Sequence, residues 1–134
     1  MYIKKIDPRV SETDGAGHIN NTTIPIWFES GRDEIFKLFT PNLSFDEWKC
    51  VIVKMEVEYI AQIYYGKEVT VKTWLSRLGK SSFDVYEEIH QDGTIRAKGK
   101  ATYVNFNFNR QKSESIPDPI KIELEKHLYN EGDQ

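Results

Sequence analysis

The feature that most limits the folds open to this chain is a change of period. From residue 24 the apolar residues fall at Ile24, Trp27, Phe28, Gly31, Ile35 and Leu38. Offsets of three and four make these one continuous helical stripe. Glu29, Arg32, Asp33 and Lys37 fill the other face. A connector follows at residues 42–50, with a short helical turn expected at 45–48. The spacing then switches to two: Val53, Met55, Val57, Tyr59, Ala61 and Ile63 alternate with Lys54, Glu56 and Glu58. One helix with a stripe to bury, followed by strands with a face to bury, specifies an α+β domain.

Turn residues divide the second half. Tyr65-Gly66-Lys67, Gly79-Lys80 and Asp92-Gly93 bound strands expected at 53–63, 68–78, 81–91 and 94–109. Asp-Gly is the strongest hairpin signal among them. A first strand is expected at 2–10, interrupted by Pro8, which confines it to an edge or an end. Thr22 or Thr23 can cap the helix, Pro25 falls in its first turn, and Pro41 ends the segment. Gly31 on the apolar stripe implies close approach to a sheet. Ala97, Gly99 and Ala101 on one strand face leave room for that helix. The shift to Val104, Phe106 and Phe108 signals a bulge or a change of exposure. Residues 116–119 (Ile-Pro-Asp-Pro) break the chain, and 120–128 can close it as a short helix. No repeat or second domain interrupts residues 1–134, a length suited to one domain.

Composition excludes some classes. Aromatic content of 13% argues against disorder, and a net charge of −3 argues against a general nucleic-acid binder. Cys50 is the only cysteine, so no intrachain disulfide can form, consistent with a reducing compartment. Residues 1–6 carry two lysines with no apolar core after them, and no apolar run reaches membrane-spanning length. The expected location is cytoplasmic, with no membrane partner. Three scattered histidines and one cysteine make no metal signature.

Residues 11–21, Ser-Glu-Thr-Asp-Gly-Ala-Gly-His-Ile-Asn-Asn, form a polar loop at the start of the buried helix. Helix starts offer unpaired amides and a partial positive charge. Asp14 beside such donors is the best catalytic candidate, as general base or nucleophile. Its plain reading is a turn aspartate. His18 reads equally as a substrate or relay residue and as a loop brace. Asn20 and Asn21 read first as caps. Glu29 reads as a structural partner of Arg32 or of a neighbouring residue. Cys50 has no histidine near it in sequence and is no nucleophile.

Several stretches together resemble the 4-hydroxybenzoyl-CoA thioesterase-like branch of the hotdog-fold acyl-CoA thioesterases. They are Thr13-Asp14-Gly15-Ala16-Gly17-His18-Ile19-Asn20-Asn21, Trp27-Phe28-Glu29-Ser30-Gly31-Arg32, Val57-Glu58-Tyr59-Ile60, Tyr65-Gly66-Lys67-Glu68 and Gly79-Lys80-Ser81-Ser82-Phe83. The likeness runs in order over residues 3–128. It implies a curled antiparallel sheet wrapped around one long helix. It also implies a homodimer joined edge to edge, often paired into a homotetramer, and hydrolysis of an acyl-CoA thioester with no metal or cofactor. Asp14 would be catalytic, and the backbone amide near Asn21 would polarise the thioester carbonyl. Gly17, His18, Asn20, Asn21, Ile24, Tyr59, Ser81 and Ser82 would bind substrate. Ile24 stands where family members commonly carry tyrosine, which bears on the acyl pocket. Arg77, Lys80 and Arg110, with Lys112, are expected to meet the CoA phosphates. The rival readings are an acyl-carrier-protein thioesterase, an enoyl-thioester hydratase and a non-catalytic acyl-CoA-binding protein.

Overall fold

The computed structural model describes residues 1–130. Its strands are β1 (Tyr2–Ile6), β2 (Cys50–Tyr59), β3 (Val69–Leu78), β4 (Ser82–Gln91), β5 (Thr94–Asn107) and β6 (Lys112–Ser113). Its helices are α1 (Thr23–Ser30), α2 (Asp33–Phe39) and α3 (Asp118–Glu125), with 3₁₀ turns at Val10–Glu12 and Phe45–Glu47. The sheet order is β1-β3-β4-β5-β2, antiparallel throughout, and β6 pairs with the far end of β5. The curled sheet with its helical layer on one face is the hotdog arrangement.

The hairpin signals fall where expected. Asp92 and Gly93 both take positive φ, 53° and 74°, which the tight β4–β5 turn requires. Alternation then aims Val71, Thr73 and Leu75 of β3, Val85, Glu87 and Ile89 of β4, and Ala97, Gly99 and Ala101 of β5 at one buried face. Gly99 lies directly under α1: a Cβ there would stand 2.9 Å from the Phe28 ring.

Four expectations are corrected. The single long helix is two helices, broken at Gly31-Arg32, where Arg32 sits at φ −97°, ψ 2°. The break packs closely on β3: a Cβ at Gly31 would stand 2.7 Å from Val71 Cγ1 and 2.9 Å from Thr73 Oγ1. Arg32 does not lie on a polar outer face or pair with Glu29. It is 1% exposed, and its partner is Glu87 of β4. The first strand stops at Ile6, two residues before Pro8, and residues 10–12 turn as a 3₁₀ helix instead. Finally, β2 ends at Tyr59 rather than at residue 63. The amides of Ile60 and Ala61 both donate to the Arg96 carbonyl, so the chain turns out of the ladder there. A bulge between Ile52 and Lys54 also resets the facing of that strand.

Candidate active site at the helix entrance

The loop before α1 is held from three sides. Asp14 N–H donates to the His18 carbonyl at 2.9 Å and Gly17 N–H to the Asp14 carbonyl at 3.2 Å, a tight turn that Gly17 closes at φ 78°. Gly17 O accepts from Tyr65 N–H, and Ile19 N–H donates to Ile63 O, so the returning half of the loop pairs with residues 63–65. Gln91, 1% exposed, braces that segment: its Oε1 accepts from Tyr64 N–H and its Nε2 donates to the carbonyls of Tyr64 and Lys67. On the helix side, Trp27 Nε1 donates to Glu12 Oε2 at 2.9 Å. Burial alone would raise the Glu12 carboxyl. The donors Arg9 N–H and Trp27 Nε1–H, with the Arg9 guanidinium, outweigh it and hold the group below the usual carboxylate range.

The amides at the entrance are unevenly satisfied. Asn20 Oδ1 accepts from Thr22 N–H at 2.9 Å and from the Thr22 hydroxyl at 2.8 Å. Asn20 O accepts from Thr23 N–H, and Asn21 O accepts from Ile24 N–H at 3.4 Å and from Tyr59 Oη at 3.0 Å. Among the described residues the Asn21 N–H has no acceptor. Because Pro25 has no N–H, Asn21 carries the free amide of the entrance.

Asn21 is one of the residues lining a cleft of about 340 Å³, with Ile19, Ile24, Tyr59, residues 60–63, Arg96 and Ala97. The floor is isoleucine and alanine, and the rim carries amide, phenol and guanidinium. Ile24, Ile19 and Ala97 are buried. Arg96 Nη1 donates to Gln62 O at 2.7 Å, so this cation is spent largely on shaping the rim.

Of the residues singled out from sequence, Asn21, Ile24 and Tyr59 meet in this cleft. Asp14, Gly17, His18 and Asn20 lie in the adjoining loop. Asp14 is exposed, with Oδ1 3.4 Å from Ala16 N. His18 meets Tyr64 edge-on, ring centroids 5.0 Å apart. Arg77, Lys80, Ser81, Ser82 and Arg110 lie at the other end of the sheet. Ser82 pairs with Val104 and Val104 with Val51, while Tyr59 pairs with Ala97 and Ala97 with Ile89. The seven steps from Ser82 to Ile89 span about 23 Å at about 3.3 Å per residue. At that end Arg77 is already committed, donating to both carboxylate oxygens of Asp84 at 2.9 and 3.1 Å and to Ser82 Oγ. Arg110 is exposed in the β5–β6 turn.

Residues 60–63, Arg96, Gln91 and the Glu12–Trp27 bond escaped the sequence reading. Alternation runs on through Ala61 and Ile63, so the sequence held no signal that 60–63 leave the strand and line a cleft. Gln91 and Arg96 gave none, since their partners are backbone groups distant in sequence. No group of three or more His, Cys, Asp or Glu among the described residues is arranged to hold a metal.

Comparison with known proteins bears on the fold and the family. A thioesterase from Bacillus stearothermophilus, described as predicted, superposes with a TM-score of 0.93 at 57% identity, covering 96% of this chain and 97% of that one. A Thermus thermophilus thioesterase complexed with coenzyme A and Zn gives 0.81 at 27% identity, covering 92% and 96%. YsmA of Bacillus subtilis (strain 168) is 29% identical over 85 residues, 63% of this chain and 58% of that protein. The acyl-(acyl-carrier-protein) hydrolase FATB2 of Cuphea viscosissima is 27% identical over 93 residues, 68% of this chain and 23% of that protein. These matches to the curated relatives thus span well under two thirds of each relative's length. The model of the thioesterase-like superfamily matches residues 8–124, most of this chain. With its hotdog sheet, its helix entrance and that match, the chain belongs to the thioesterase-like superfamily.

Proposed function

We propose that this protein hydrolyses an acyl-CoA thioester to the free acid and CoA. The observation that carries the reading is Asn21, which lines the cleft and whose N–H has no acceptor among the described residues, in a loop that also carries an exposed carboxylate. In the proposed mechanism the acyl group lies over Ile19, Ile24 and Ala97, and its carbonyl oxygen accepts from Asn21 N–H. The positive end of α1 adds to that donor. Asp14 activates a water, or attacks the carbonyl carbon directly to give an acyl-Asp14 anhydride that water hydrolyses once the thiolate has left. Thiolate leaves as the tetrahedral intermediate collapses, and a proton passes to the departing sulfur. Tyr59, by donating to Asn21 O, holds the peptide whose neighbour aims the free amide, and His18 orients the loop. Coenzyme A in the Thermus thermophilus relative supports CoA as the carrier. The likeness to the Cuphea hydrolase favours acyl carrier protein as the second reading.

The proposed assembly is a homodimer through β2, two of which pair into a homotetramer. Among the described residues this strand bonds only β5, and Ile52, Val53, Tyr59 and Ile60 are exposed along and just beyond it. An exposed apolar edge is a template for another strand. Antiparallel joining of two β2 edges would set the Ser81–Ser82 end of one copy beside the helix entrance of the other. The residues separated in one chain would then serve one substrate, with Arg77, Lys80 and Arg110 of one copy near the CoA phosphates of the other. No helix among the described residues is long and apolar enough to cross a membrane, and a cytoplasmic acyl-CoA is the proposed substrate.

The test is thiol release from one acyl group carried on CoA, on pantetheine and on acyl carrier protein. Wild type should prefer CoA, and Asp14→Asn should stay folded with kcat lower by about 10²–10⁴. A folded Asp14→Asn that keeps more than about a tenth of the activity would remove Asp14 from the mechanism. Preference for the carrier protein would select the second reading, and binding without turnover would make this an acyl-CoA-binding protein.

A further inference from the structure

A polar layer divides the core in two. α1 packs with Val69, Val71, Ile89 and Ala97 in one cluster, and α2 with Leu75, Val85 and Tyr103 in the other. Between the clusters, at the paired positions Thr73 and Glu87, Arg32 enters from the helix break. Its Nε donates to Glu87 Oε1 at 2.7 Å, and Nη2 stands 2.6 Å from the same oxygen, an ion contact off the hydrogen-bond direction. Nη1 donates to Tyr103 Oη at 2.8 Å, and Thr73 Oγ1 donates to Glu87 Oε2 at 2.7 Å. Arg32 is 1% exposed and Glu87 0%. One guanidinium therefore ties the helix break to β4 and β5 directly and to β3 through Glu87.

Stability does not account for this arrangement. Apolar residues of similar volume often replace a buried ion pair without loss, because taking both charges out of water offsets their attraction. Directional bonds supply something apolar contacts do not, which is a defined angle. α1 has eight residues, with the Asn20 cap just before its start, the Trp27–Glu12 bond at its middle and the guanidinium just past its end. From Thr22 to Arg32 is ten residues, about 15 Å at about 1.5 Å each. A tilt of roughly 5° at the break moves the entrance by about 1.3 Å, and misplacement by about 1 Å at a reacting centre costs on the order of 10² in rate.

We infer that Arg32, held by Glu87, Tyr103 and Thr73, is a positioning residue that sets the tilt of α1 and so the aim of the Asn21 amide. The kinetic part of this inference rests on the thioesterase reading above. The test compares wild type with Arg32→Met/Glu87→Met, which removes both charges and keeps the volume. The double variant should melt close to wild type and keep KM within about twofold, while kcat falls at least tenfold, since aim matters in the transition state and less in binding. Unchanged kcat in the folded double variant overturns the inference. Should the double variant not fold, Tyr103→Phe removes one bond to the guanidinium: lower kcat at unchanged KM supports the role, and wild-type kcat overturns it. Should wild type hydrolyse no thioester, the functional reading fails by itself. Amide exchange at Thr22–Ile24 then decides the positioning claim: faster exchange there than in β4 supports it, and an unchanged pattern overturns it.

Discussion

Gly31→Ala tests whether the helix break packs on β3 too closely to admit a side chain at residue 31. The new Cβ would stand 2.7 Å from Val71 Cγ1, 2.9 Å from Thr73 Oγ1 and 3.1 Å from Glu87 Oε2. Relaxed contacts lie near 3.5–4.0 Å, so a shift of about 1 Å is needed. The obstructing side chains are themselves buried, Val71 and Thr73 at 0% exposure. Overpacking of this kind costs about 1–3 kcal/mol. Replacing a glycine with alanine returns up to about 0.5–1 kcal/mol, and Gly31 has an ordinary φ of −67°, so no strain enters. The net loss is about 1–2 kcal/mol. With an unfolding entropy of about 2.1 cal/mol/K per residue over 134 residues, Tm falls by about 4–7 °C. Differential scanning calorimetry measures this directly. Gly15→Ala is the control, since nothing lies within 4 Å of its Cβ position. A Gly31→Ala protein that melts at or above the wild-type temperature would refute the close packing of residue 31 on β3.

Three further outcomes are expected. Burial pushes the Glu87 carboxyl up to about 7, against the lowering by Arg32 and by the Thr73 hydrogen bond. The folded state therefore holds this proton more tightly than the unfolded state. The resulting stability is present below the unfolded value near 4.5 and is lost as pH rises through about 7. Tm measured from pH 4.5 to 8 should show this loss in wild type and lack it in Glu87→Gln; identical profiles would contradict it. Cys50 is buried and its thiol is pushed up to about 12, so iodoacetamide at pH 8 should label it only after unfolding, and rapid native labelling by mass spectrometry would contradict the burial. Gly17→Ala places a Cβ in open space but at φ 78°, so it should strain the loop, lowering kcat with little change in Tm; wild-type kcat would show that the turn is not needed in that form.

The sequence by itself determined what local period and turn chemistry can carry. Alternation and the Asp92-Gly93 turn placed β3, β4 and β5 within a residue or two at most boundaries, because each signal is local. The small residues Ala97, Gly99 and Ala101 announced a helix lying on the sheet, and Gly99 does lie against Phe28. The loop at 11–21 stood out through its own glycines and polar residues. What needed tertiary structure was anything set by a partner far along the chain. A helical period cannot report that Gly31 will meet Val71, so one stripe read as one helix. A charge on a helix reads as outward-facing, because the groups that offset the cost of burying it, Glu87 and Tyr103, lie 55 and 71 residues away. Alternation continued past Tyr59 in the sequence, while the Arg96 carbonyl captured two amides and ended the strand. Which amide of the helix entrance stays free depended on where Asn20 folds its side chain, a choice among caps of equal local merit. The basic and serine residues at the Ser82 end were legible as candidates, but their separation from the entrance within one chain came only from the strand register. Local chemistry selects residue types, and the pairing of distant strands decides which of them share a site.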